Sequence, residues 1–153
     1  MTPAPQLFGM LSHEHRDRLN GVSREVSFPE DFRIFDEHQP AEKFWVIHSG
    51  AVALDLAVPG SRRTVVETLG SGDLLGWSWM FPPRLWHFGA AAFSPVRAHE
   101  FEAAAVLALC DEDSAFGLAW TRAVAQILAH RLDVARTKLL DQYEHHGAPD
   151  FGI

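Results

Sequence analysis

Between Val22 and Phe101 the chain breaks into short runs of alternating apolar and polar residues, divided by Gly, Pro, Asp and Ser. Seven such runs can be read, at Val22–Phe28, Phe32–Phe35, Phe44–His48, Ala51–Leu56, Thr64–Leu69, Gly89–Phe93 and Val96–Phe101. None is long enough for an ordinary helix, and side chains that alternate with a period of two face opposite sides of a sheet. Pro29, Gly50, Pro59-Gly60 and Ser94-Pro95 turn the chain between runs. Short strands at this spacing predict an antiparallel β-roll, a jelly-roll-like double-stranded β-helix spanning residues 22–101. A chain of 153 residues with 47% hydrophobic content has enough material for one buried core and too little for two.

The flanking segments change to helical spacing. Residues 1–21 form a helical lead: Ser12 is placed to cap, Leu11, His15 and Leu19 share a face, and Gly21 stops the helix. Residues 102–146 read as C-terminal helices, first a short one at Glu102–Leu107 and then a long one capped by Asp111 or Asp113 and running to Tyr143. An apolar stripe of Leu118, Trp120, Val124, Ile127 and Leu128 faces the core, and residues 147–153 form a tail. Farther along, Leu128, Leu132, Ala135 and Leu139 follow the 4-3-4 spacing of a two-helix seam. The expected class is therefore α+β, a β-roll with an N-terminal helix and a long C-terminal helix.

One stretch, residues 72–89, fits neither pattern. Gly72 and Gly76 flank Asp73, so the backbone can bend sharply and offer N–H groups to an anion at the first turn of a short helix. Three of the five tryptophans, Trp77, Trp79 and Trp86, then follow within ten residues. Leu75, Gly76, Trp77, Ser78, Trp79, Arg84, Trp86 and His87 are the candidate ligand-pocket residues here, and Arg136 on the long helix joins them.

Several function classes are excluded by composition. A formal charge of −7 with no basic stripe argues against general polyanion binding. One cysteine, Cys110, permits no internal disulfide, and its apolar neighbours suit an inert thiol. Without a signal-like or membrane-spanning run, a cytoplasmic location is expected. Nine histidines offer no metal- or haem-ligand spacing, since His13/His15 face different sides of a helix and His145/His146 are adjacent. No nucleophile–base order, phosphate loop or carboxylate pair points to catalysis, so no enzyme, metal or resident cofactor is expected. The residues after His146 are too few for a helix-turn-helix, and DNA contact by this chain alone is not expected.

Three spaced patterns carry a resemblance: Phe28-x5-Ile34-Phe35, then Ala41-x2-Phe44-Trp45-x-Ile47-x2-Gly50-x-Val52, then Gly72-Asp73-x-Leu75-Gly76. With them the chain, from about Leu7 to Tyr143, resembles the cyclic nucleotide-binding domain of the catabolite activator and related bacterial regulators. Asp31 and His38 stand where that family often has glycine, and both residue types tolerate left-handed turns. The resemblance implies a phosphate-binding cassette in which a Glu after the second glycine accepts from the ribose hydroxyl, and a later Arg-Ser/Thr-Ala holds the cyclic phosphate. Here Trp77 occupies the Glu position and Trp86-His87-Phe88 the other three. The resemblance also implies a homodimer through the long helix. Its base-contacting positions fall on Ala135 and Arg136, next to Thr137.

These readings lead to a non-catalytic sensory or regulatory domain that does not bind cAMP or cGMP in the usual pose, in which an effector of unidentified structure in the Gly72–His87 pocket favours one placement of the long helix and a partner protein reads it. Two alternatives stand beside it. One is a true cyclic-nucleotide binder that uses Arg84 or His87 for the phosphate. The other is a ligand-free interaction module whose pocket is filled by aromatic rings.

Overall fold

The computed structural model describes residues 4–60 and 62–146. Eight strands form two four-stranded antiparallel sheets: β1 (Ser23–Phe28), β2 (Arg33–Phe35), β3 (Lys43–Ser49), β4 (Val52–Leu56), β5 (Thr64–Leu69), β6 (Leu74–Leu75), β7 (Gly89–Ala92) and β8 (Val96–Glu102). The order is β1-β8-β3-β6 in one sheet and β2-β7-β4-β5 in the other, so only β4 and β5 pair as sequence neighbours and the chain otherwise crosses between the two sheets as a roll. Leu74–Leu75 is too short to show alternation, and it becomes a strand only by pairing with Trp45 and Val46. Asp31 and His38 adopt φ of 69° and 67°, the left-handed geometry expected where glycine is usual.

Helices cover one face. The lead splits into α1 (Leu7–Met10) and α2 (His13–Asn20), because Leu11 is extended and Ser12 caps a new helix through the His15 N–H. The short helix expected at Glu102–Leu107 is α3 (Ala103–Glu112). Asp113 Oδ1 then accepts from the Ala115 and Phe116 N–H groups, opening α4 (Ser114–His146). The core face of α4 is set by that start: Phe116, Trp120, Ala123, Val124 and Ile127 are buried at helical spacing. Leu118 does not belong to the stripe. Two residues beyond Phe116, it turns roughly 200° around the helix and is 53% exposed.

Adjacent residues of β3 enter opposite sides of their sheet. Phe44 meets Phe101, Trp79 and Trp120 on the helix side, whereas Trp45 faces Phe35 of the other sheet. Alternation in a single strand thus supplies both hydrophobic layers, one between the sheets and one under the helices.

Candidate functional site

A tight turn leads into β6. Gly72 has φ of 85°, its N–H reaches the Ile47 carbonyl at 2.7 Å, and Asp73 Oδ2 accepts from the Gly70 N–H at 2.8 Å. The helical turn that follows is a single 3-10 turn, Ser78–Met80. Pro82-Pro83 is cis, and Arg84 has φ of 58°. The Arg84 carbonyl accepts from Ala41 N–H, which pins the returning arm to the β2–β3 connection.

The tryptophans divide between the two layers. Trp86 stacks on Phe35 at 3.9 Å between ring centroids and 12° between planes, with Trp45 at 6.2 Å, so one indole bridges the two sheets. A Cβ at Gly76 would lie 2.8 Å from the Trp86 ring, and φ there is 99°. Glycine is therefore required twice at this position, for the backbone and for the ring seated against it. Trp79 goes the other way: it is 1% exposed, lies 5.0 Å from Phe44, and donates Nε1–H to the Gly76 carbonyl at 3.2 Å. Trp77 remains nearer the surface and stacks on His87 at 4.8 Å, while Ser78 Oγ and His87 Nδ1 are hydrogen-bonded at 2.8 Å.

Leu75, Gly76, Trp77, Ser78, Trp79, Trp86 and His87 thus gather around one loop. Arg84 and Arg136 are not brought to them. Arg84 is exposed on a groove outside the roll, beside Leu85, Glu102 and Leu107, and Arg136 lies on an exposed face of α4 with Leu132 and Leu139. Among the described residues neither side chain has a hydrogen-bond or ion-pair partner, and no group of three or more His, Cys, Asp or Glu is placed to hold a metal.

The charged residue in the inter-sheet layer is one that the sequence reading passes over. Glu100 is buried, shares a face of β8 with Val96 and Ala98, and accepts from Trp45 Nε1 at 3.0 Å, Arg24 Nε at 2.9 Å and Lys43 Nζ at 3.2 Å. Burial opposes its charge, but the indole donor and the two cations outweigh burial and hold the carboxyl below its ordinary range. Its position two residues after Val96 and Ala98, in the inward phase of an alternating strand, is the signal that could have found it. Arg131 is the second such residue. It is 15% exposed, and it donates Nη2–H to the Leu74 carbonyl, tying α4 to β6.

The profile of the cyclic nucleotide-binding domain matches residues 25–113, more than half of the chain. A CRP-like cAMP-activated global transcriptional regulator of Mycobacterium tuberculosis is 29% identical over 73 residues, covering 48% of this chain and 33% of that protein. The match thus spans about a third of that relative's length. A cyclic nucleotide-binding domain from Methylobacillus flagellatus superposes with a TM-score of 0.79 at 18% identity, covering 86% of this chain and 74% of the other. The catabolite activator protein of Thermus thermophilus superposes with a TM-score of 0.73 at 23% identity over 90% of this chain and 63% of its own. These superpositions establish the roll and its helices as a shared fold. Among the described residues no helix is long and apolar enough to cross a membrane.

Proposed function

Because the chain belongs to the cyclic nucleotide-binding domain family, we propose that it is a non-catalytic regulatory domain whose roll is closed to cyclic nucleotides in the usual pose and whose output passes through α4 in a homodimer. The observation that carries this reading is the Trp86 indole, 5% exposed, stacked on Phe35 beside Trp45 and seated against Gly76. A cassette turn bends around a phosphate only if the space beside it is free and a cation faces it. Here a ring fills the space, and the nearby arginine, Arg84, points to a groove outside the roll. The ligand-free alternative is favoured by the same packing.

The second half of α4 supports the dimer. Leu132 is 72% exposed, and Leu139, Leu140 and Tyr143 are exposed after it, on a helix whose first half buries one face against the roll. A seam of Leu128, Leu132, Ala135 and Leu139 at 4-3-4 spacing suits a second copy of the same helix. Titration of the full chain with cAMP and cGMP up to about 1 mM, followed by calorimetry, is expected to give no saturable heat. A saturable signal lost in Arg84→Ala or His87→Ala would establish the cyclic-nucleotide binder instead.

A further inference from the structure

A cleft of about 180 Å³ lies between α4, β5 and the turn before β6, outside the roll. Its volume equals the liquid share of about six water molecules. One wall is a face of α4, where Ile127, Arg131, Val134 and Lys138 recur at helical spacing. The opposite wall presents Glu67 and Asp73. Cations therefore stand on the helix and anions on the barrel.

Arg131 is poorly served for a buried charge. A guanidinium has five N–H donors, and among the described residues one hydrogen bond is made, from Nη2 to the Leu74 carbonyl. Nε stands 3.8 Å from Glu67 Oε1, an ion pair too long for a hydrogen bond. Burial lowers the arginine's proton affinity, with Glu67 and Asp73 opposing that effect. Lys138, at the edge of the cleft, has no ion-pair partner among the described residues. A simple anion entering here would meet Glu67 and Asp73 across the gap, and a simple cation would meet Arg131 and Lys138. A small zwitterion matches both walls. Val134, with Ala4 and Pro5 at the rim, adds apolar surface for a short aliphatic side chain.

We propose that this cleft binds a small aliphatic α-amino acid, its carboxylate on Arg131 and Lys138 and its ammonium group on Glu67 and Asp73. Such a ligand bridges α4 to the turn that leads into Gly76, and it favours the docked placement of the helix by its own differential affinity. The inference does not depend on what the roll binds, so a positive cAMP titration leaves it standing.

The test is isothermal titration of the full chain with L-valine, with isobutyrate and isobutylamine as single-charge analogues. Saturable heat is expected with L-valine and with neither analogue at equal concentration. Glu67→Gln and Arg131→Gln are each expected to weaken binding at least about tenfold, with Arg84→Ala unchanged. Far-UV circular dichroism checks Arg131→Gln for loss of helix, and the half-buried Glu67→Gln carries the test if that variant unfolds. Absence of saturable heat with L-valine, equal binding of isobutyrate, or undiminished affinity in Glu67→Gln overturns the proposal.

Discussion

Phe44 and Trp45 are neighbours in β3, yet they enter two aromatic clusters of different character. On the helix side, Phe44 lies nearly parallel to Phe101 (6°) and Trp79 (14°), and Trp120 and Phe116 extend the stack into α4. That cluster joins three separate parts of the chain: a sheet, the cassette loop and the long helix. On the roll side, Trp45, Phe35 and Trp86 pack beside a buried carboxylate, Glu100, whose charge is met by donors from three residues. The first cluster holds α4 to the barrel. The second occupies the space between the sheets, and its buried charge is satisfied internally. One loop supplies a tryptophan to each, Trp86 to the layer between the sheets and Trp79 to the layer under the helix.

The comparison can be broken from either side. Trp79→Ala is expected to cost about 3–5 kcal/mol in chemical denaturation, because a fully buried indole and its hydrogen bond to Gly76 are lost from the cluster that secures α4. Trp86→Ala is expected to cost about 3 kcal/mol and to leave a cavity against Gly76. Added indole should then recover part of the lost melting temperature, as apolar cavities accept aromatic guests. Failure of indole to stabilise this variant would mean that the roll collapses when its ring is removed.

Glu100→Gln sharpens the electrostatic half of the contrast. Hydrogen bonds to a charged group are worth more than those to a neutral one, and the variant should lose about 1–3 kcal/mol at pH 7. The sign of the pH dependence follows from the lowered carboxyl pKa. The charge contributes stability above the unfolded-state value of about 4.3 and loses it as pH falls through the folded value. Wild type and variant should therefore differ most near neutrality and converge in acid, measured by urea denaturation across pH. Leu132→Glu should have the smallest effect on folding, within about 0.5 kcal/mol, since its side chain is in solvent in the single chain. Its expected readout is sedimentation velocity, where the proposed dimer shifts towards monomer.

The roll was legible because alternation and turn chemistry are local properties. The strand positions, the Ser12 cap, an Asp cap at 111 or 113, and the left-handed tolerance of Asp31 and His38 follow from residue types and their nearest neighbours. Readings that needed a partner distant in sequence were harder. β6 exists only against β3, and Leu118 faces outward only because the phase of α4 is set by where Asp113 starts it. Glu100 carries no local signal of its burial network, because its three donors lie 55 to 76 positions away in the chain.

The cassette shows the same division within a few residues. Sequence alone placed glycines at the two bends, Gly72 and Gly76, and the family resemblance set Trp77 and Trp86 where it implies acidic and basic groups. It also determined that aromatic area is concentrated there. Tertiary structure alone decided where each ring goes: Trp86 into the roll, Trp79 under the helices, and Trp77 onto His87 at the surface. An indole has no directional preference of its own in a loop. Its direction is chosen by which cavity the two sheets and α4 leave unfilled, and that is a property of the assembled core.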